Sequence, residues 1–256
     1  MKKLLLILLC FPMIGFGQKT YVPDDSFESY LESNGMGDGI VLNDSVFTSA
    51  IDTATNLDYM FNLGIYDLTG IEDFISLIML DVSMNHLTNL DVSNNINLTD
   101  IYCGNNQLTT LDVSNNIFLD DLYCNNNQIT DLDVSSNVNL RQLYVHENQL
   151  MSLDLRNGNN INLYPFKCYG NPLLSCINVD DSTYSTDNWF LWFVNDIDPQ
   201  HYFSENCSGT TSVQEHTTNK ELLKVIDLLG REINQTNQLL FYIYDDGTLE
   251  KKITID

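Results

Sequence analysis

Residues 98–110 read LTDIYCGNNQLTT and residues 119–131 read LDDLYCNNNQITD. Their tyrosine–cysteine pairs, 21 residues apart, admit two readings: a metal or redox site, or two copies of one structural rung. The surrounding sequence decides between them. Leu77 opens LIMLDVSMNHLTN, Leu140 opens LRQLYVHENQLMS and Leu163 opens LYPFKCYGNPLLS, so five copies run in phase. Three steps span 21 residues and the last spans 23, with the extra residues assigned to Asn157 to Asn160. The position of Cys103 and Cys124 is held by Val82, Val145 and Cys168 in the other copies. A slot that accepts valine demands no metal ligand, and buried cysteine serves there as a small hydrophobe.

A turn this short cannot bury its own apolar face, so successive turns must stack and share a core. Period-2 alternation sends Ile101 and Cys103 inward, with Leu98 and Leu108, and Tyr102 outward. Leu111-Asp112-Val113 predicts a second alternating strand in each turn. Asn85, Asn106, Asn127, Asn148 and Asn171 recur at the corner, where a buried amide must satisfy backbone groups of adjacent turns. The pattern L-x-x-L-x-L/C-x-x-N-x-L resembles the leucine-rich repeat. That resemblance implies a leucine-rich repeat solenoid with one short parallel strand per 21-residue turn.

Both ends of such a stack need covering. Upstream, VPDDSFESYLESNGMGDG predicts a helix that starts at Asp24, Asp25 or Ser26, buries Phe27, Tyr30 and Leu31, and stops at Asn34-Gly35. Downstream, Cys176 aligns with Leu111 and Leu132, and an aromatic-rich segment separates it from Cys207. A Cys176–Cys207 disulfide is predicted, stabilising by roughly 3 kcal/mol on chain-entropy grounds. The arrangement resembles secreted leucine-rich repeat proteins of Bacteroidota-type bacteria, in which a comparable helix precedes the repeats and a cysteine-bounded segment follows.

The chain opens with MKKLLLILLCFPMIGFGQ: two lysines, an apolar run and a small-x-small site. This is a secretory signal peptide, expected to be cleaved after Gly17. Cleavage removes two of eleven basic residues and leaves nine against 35 acidic ones. Nucleic acid and anionic lipid, which need a basic surface, are poor partners for such a chain. No later run is long and apolar enough to span a bilayer.

Residues 220–256 change character, with alternating strands, a turn at Asp245-Asp246-Gly247 and several lysines. VIDLLGRE (225–232), FYIYDDGTLEKK (241–252) and the final ITI resemble the C-terminal sorting signal of type IX secretion substrates. The resemblance implies a β-type tail that engages that machinery from the periplasm and is removed after crossing the outer membrane. The expected organisation is signal peptide 1–17, N-terminal cap with a degenerate repeat 18–76, repeats 77–180, C-terminal cap 181–207, linker 208–219 and sorting signal 220–256.

Enzymatic constellations are poor: no nucleophile elbow, metalloprotease helix, phosphate loop or dinucleotide fingerprint is present. His86, His146, His201 and His216 have no ligand spacing. Two outward ladders remain. On the expected concave face Tyr102, Tyr123 and Tyr144 should stack in register between Asp81 and Lys167, with Asp100, Asp121, Asn105, Asn126 and His146 around them. Aromatic area beside polar groups suits a protein or glycan ligand. The second ladder is Asp91, Asp112, Asp133 and Asp154. Calcium could bridge these carboxylates, or hydrogen bonds at the corner could hold them. The expected function is non-enzymatic recognition or adhesion at or outside the cell surface, with no cofactor. The alternatives are a calcium-stabilised surface protein, or a secreted enzyme with a site near Trp189, Trp192 and His201.

Overall fold

A computed structural model describes residues 17–189 and 197–207, together with the backbone of three later strands. The apolar run of the expected signal peptide, Trp192, the linker and the Asp245–Gly247 turn lie outside the described residues. The chain divides into two compact units, Met1–Cys207 and Ser208–Asp256.

In the first unit β1 (Lys19–Tyr21) pairs antiparallel with β2 (Ser45–Phe47), flanking helix α1 (Asp25–Ser33). A short helix α2 (Thr48–Ile51) and β3 (Asn56–Leu57) lead into the repeats. There follow β4 (Met79–Asp81), β5 (Asp100–Tyr102), β6 (Asp121–Tyr123), β7 (Asp131–Asp133), β8 (Gln142–Tyr144), β9 (Ser152–Asp154), β10 (Phe166–Lys167) and β11 (Cys176–Asn178). Helix α3 (Ser182–Trp189) and β12 (Tyr202–Ser204) close the unit. Strands β3, β4, β5, β6, β8 and β10 form one six-stranded parallel sheet, and β7, β9, β11 and β12 form a second on another face. The second unit is an antiparallel sheet of β13 (Leu222–Ile226), β14 (Leu239–Tyr244) and β15 (Leu249–Ile253).

The 21-residue period survives intact as register: Asp100 faces Asp121, Ile101 faces Leu122 and Tyr102 faces Tyr123. Leu98, Ile101, Cys103 and Leu108 are fully buried, as are their equivalents in the next turn. Each corner asparagine staples two turns. The Asn127 Nδ2 donates to Cys103 O and Cys124 O at 3.1 Å each, while its Oδ1 accepts from Leu108 N–H at 2.9 Å. Asn106 and Asn148 repeat this geometry one turn either side. The residue just before each asparagine (Met84, Asn105, Asn126 and Glu147) has φ between 54° and 58°. In that left-handed region asparagine is better tolerated than most side chains.

The second face departs from expectation in the early turns. Leu111 and Val113 point inward, yet hydrogen-bonded strands on this side begin only at β7. Side-chain amides link these turns just past that position: Asn116 Nδ2 donates to Val92 O (3.1 Å) and Asn137 Nδ2 to Val113 O (2.9 Å). With Asn95 they form a second, fully buried asparagine ladder. Its signal was visible as an asparagine three residues after each of Val92, Val113 and Val134.

Cys176 also moves. Asn178 pairs with Asp154, so Ile177 rather than Cys176 takes the inward slot of Leu153. One extra residue enters at the preceding corner, where Leu174 is buried and Leu173 is 64% exposed. The shift turns Cys176 outward, where it bonds Cys207 across a Cα separation of 5.7 Å. Beneath this bridge Trp189 packs against Phe166 and Phe203, with ring centroids 5.1 and 5.3 Å away.

The N-terminal cap follows from one carboxylate. Asp24 Oδ1 accepts from Ser26 and Phe27 N–H to start α1, and its Oδ2 accepts from Tyr66 and Asp67 N–H in the degenerate repeat. A single side chain thus caps the helix and ties it to the stack.

Candidate functional site

On the outward side of the six-stranded sheet the three strands β5, β6 and β8 carry an aromatic ladder, with Asp81 of β4 and Lys167 of β10 at its ends. Cross-strand register brings Tyr102, Tyr123 and Tyr144 level. Ring centroids are 4.7 Å apart for the first pair and 4.2 Å for the second, whose planes differ by only 6°. Lys167 Nζ lies 5.2 Å from the Tyr144 ring centroid. Tyr169 stacks on His146 at 4.6 Å, extending the aromatic surface beyond the expected tyrosines, and Tyr66 lies tilted against His86 at 4.7 Å. The two histidines therefore belong to separate aromatic pairs.

Stacking on one another leaves the tyrosines less to offer a flat ligand. Where rings lie 4.2 Å apart, each covers its neighbour's face, and what faces out is ring edge and hydroxyl. The hydroxyls are tethered: Tyr123 donates to Gln142 Oε1 at 2.8 Å, and Tyr102 lies 3.3 Å from Asp100 Oδ1 and 3.4 Å from Asp121 Oδ2. Gln142 Nε2 donates to Asp121 at 2.9 Å. Asp100 and Asp121 sit directly opposite each other, a repulsive placement for like charges. Burial, then Asp120 and Asp100, push the Asp121 carboxyl above its ordinary range. Burial and the neighbouring tyrosine and carboxylates push the Tyr123 hydroxyl up to about 12, and Tyr102 moves in the same direction. At neutral pH both tyrosines are hydrogen-bonding phenols beside an acidic pair. Asn105 and Asn126 are exposed at the left-handed corners, so their residue type already has a backbone reason.

The aspartate ladder resolves into local turns. Asp91, Asp112 and Asp133 each accept from the N–H of the serine two residues on, at 2.8–3.0 Å, and Asp154 accepts from Arg156 N–H and its guanidinium. The serine bonds hold Asp91 and Asp112, and the Arg156 side chain holds Asp154, below the ordinary carboxylate range. Among the described residues the acidic groups that converge within reach of one ion are instead Asp25, Glu28 and Asp44 in the N-terminal cap. There Glu28 already accepts from Asn43 and Asp44 N–H.

In the C-terminal cap His201 is buried, its Nδ1 3.4 Å from Cys168 Sγ. Burial lowers the imidazole pKa and raises that of the thiol, so both are neutral. A neutral, enclosed thiol is not a nucleophile. Cys103 and Cys124 are likewise free and buried, and burial pushes the Cys124 thiol up to about 12.

No protein-family model and no curated protein matches the chain. Solved structures do. The functional domain of InlJ from Listeria monocytogenes, described as including a cysteine ladder, is 30% identical over 64% of this chain, with a TM-score of 0.52. The fold is a leucine-rich repeat solenoid. The match covers 38% of the InlJ chain, so this protein spans well under half of that one's length. Two further Listeria monocytogenes proteins are similar at lower identity. Internalin InlF is 17% identical, over 72% of this chain and 71% of its own, with a TM-score of 0.41. Internalin C2 is 19% identical, over 75% and 93%, with a TM-score of 0.44. The leucine-rich repeat brings Cys103 and Cys124 onto adjacent turns as reduced thiols.

Proposed function

We propose that this leucine-rich repeat protein is exported and acts without catalysis, binding a protein partner on the six-stranded sheet face. The observation that carries the reading is the registered Tyr102–Tyr123–Tyr144 ladder beside the Asp100–Asp121 pair. It combines large, rigid contact area with oriented hydroxyls, the composition of interface hot spots. The ring-on-ring stacking favours a protein over a glycan, because a sugar needs an open aromatic face. The acidic pair and the net charge of −24 favour a partner that presents lysine or arginine. The signal peptide, the Cys176–Cys207 bridge and the sorting-signal resemblance of residues 220–256 support passage through the periplasm to the cell surface or medium by the type IX route.

The test is a parallel protein and glycan binding screen on the full chain, followed by the Tyr102→Ala, Tyr123→Ala double variant. A protein ligand that loses about tenfold or more in affinity supports the face. Unchanged affinity removes it. A glycan ligand lost in the same variant would replace the protein reading. For the export route, deletion of residues 220–256 should trap the chain in the periplasm.

A further inference from the structure

A third ladder points away from both sheets. Ile75, Ile96, Ile117, Val138 and Ile161 occupy one equivalent position in five consecutive turns, two residues before the leucine that opens each repeat. They are 48–69% exposed, and Phe118 beside them is 51% exposed. An exposed branched apolar side chain once is ordinary; five stacked in register form a continuous stripe. These residues together expose on the order of 600 Å² of apolar surface, the upper end of the roughly 300–600 Å² of the largest patch on a typical monomer, which is often functional.

Charge singles out the occupant. The chain carries −24, yet the two residues on either side of Ile96, Ile117, Val138 and Ile161 are asparagine, serine, phenylalanine or leucine, with no charge among them. The amides are engaged along the stack: Asn97 Nδ2 donates to Ile75 O at 2.9 Å and Asn139 Nδ2 to Ile117 O at 3.2 Å. The basic partner suited to the sheet face gains nothing from this neutral band. The charged side chains that line one hollow with Phe118 and Val138, Asp120 and Arg141, pair with each other, so an equally acidic molecule meets no net charge there.

We infer that this stripe is the interface of a homodimer, formed by a second copy of this chain. Two copies carry the same rung spacing, so a two-fold axis across the stripe lets each isoleucine seat between two of the opposite ladder. The exposed area approaches the ~800 Å² per partner of a standard stable interface.

Sedimentation velocity of the full chain between about 1 and 100 μM covers the affinities expected for such an area. The expected result is a dimer whose dissociation constant rises about a hundredfold in Ile96→Asp, Ile117→Asp, because two carboxylates must then be desolvated at the contact. Phe118→Ser, at a separate exposed ring, should weaken it as well, and circular dichroism checks that both variants fold. Tyr102→Ala with Tyr123→Ala should leave the dimer unchanged, which separates this interface from the recognition face. Added salt should strengthen the dimer by screening the net repulsion. A wild-type monomer throughout, a dimer that survives the aspartates in a folded variant, or one that salt dissolves overturns the inference.

Discussion

Asn127→Ala should destabilise the protein by about 3 kcal/mol, and the magnitude follows from which groups lose a partner. The Leu108 N–H bonds to Asn127 Oδ1 and would be left buried without an acceptor, at about 1–3 kcal/mol. The two carbonyls fare better. Cys103 O also accepts from Asn106, and Cys124 O also accepts from Asn148, so each keeps one donor. Losing one of two bonds costs each about 0.5–1 kcal/mol. The neighbour supplies the control. Asn126 is exposed at φ 54°, so Asn126→Ala forfeits only the left-handed preference, about 1 kcal/mol, and Asn126→Gly should be close to neutral. Urea unfolding followed by far-ultraviolet circular dichroism measures all three, provided the slope with denaturant is unchanged. A loss below about 1 kcal/mol for Asn127→Ala, or a larger loss for Asn126→Ala, would refute the stapling account.

Four further outcomes follow from the geometry. Cys176→Ser with Cys207→Ser should cost about 3–4 kcal/mol, the loop-closure entropy of a 31-residue separation, and thermal melting under non-reducing conditions measures it. Cys103, Cys124 and Cys168 should be inert to a thiol reagent in the native state and react once urea unfolds the chain; rapid native reaction would contradict their burial. His201 has a lowered folded pKa, so between that value and about 6.5 the unfolded chain binds the extra proton and stability falls as pH drops. The wild type should therefore lose more melting temperature from pH 7.5 to 5 than His201→Gln, and equal losses would remove His201 as the cause. Chelator should leave the melting temperature unchanged, because the carboxylates of the aspartate ladder are held by N–H groups; a clear drop would restore the calcium reading.

The inward half of each turn was legible because it repeats. Leu98, Ile101, Cys103, Asn106 and Leu108 recur every 21 residues, and burial of a shared core leaves no other arrangement for them. Alternation at Leu111-Asp112-Val113 predicted side-chain direction but not strand pairing, since direction depends on the local backbone and pairing on what neighbouring turns place against it. The Cys176 alignment failed for a related reason. A ladder counted by residue number cannot see a corner that absorbs one extra residue, as Pro172-Leu173 does. The pair Tyr66–His86 joins different columns of the repeat, and Tyr169–His146 belongs to a column whose other members, Ser83, Gly104 and Asn125, are not aromatic, so neither pair shows as a repeated aromatic.

Repetition also indicates where in a turn function can reside. Apart from the exposed isoleucine ladder, the polar positions that scarcely change from turn to turn each serve the backbone. The corner asparagines staple turns and the aspartates of the second face close two-residue turns. A ligand is not needed to explain any of them. The sheet face behaves differently. Its outward sites run Met79, Asp100, Asp121, Gln142 in one column, Asp81, Tyr102, Tyr123, Tyr144, Lys167 in the next, and Ser83, Gly104, Asn125, His146, Tyr169 in the third. Stacking turns demands nothing of these side chains beyond tolerance of a pleated, half-exposed surface. The departure from sameness is concentrated where the scaffold is indifferent, so the recognition proposed for the sheet face rests on these three columns. The tyrosines draw the eye as a repeat, but the residues that break the repeat around them, Asp81 and Lys167 at the two ends and His146 beside Tyr144, give the face its polarity and direction.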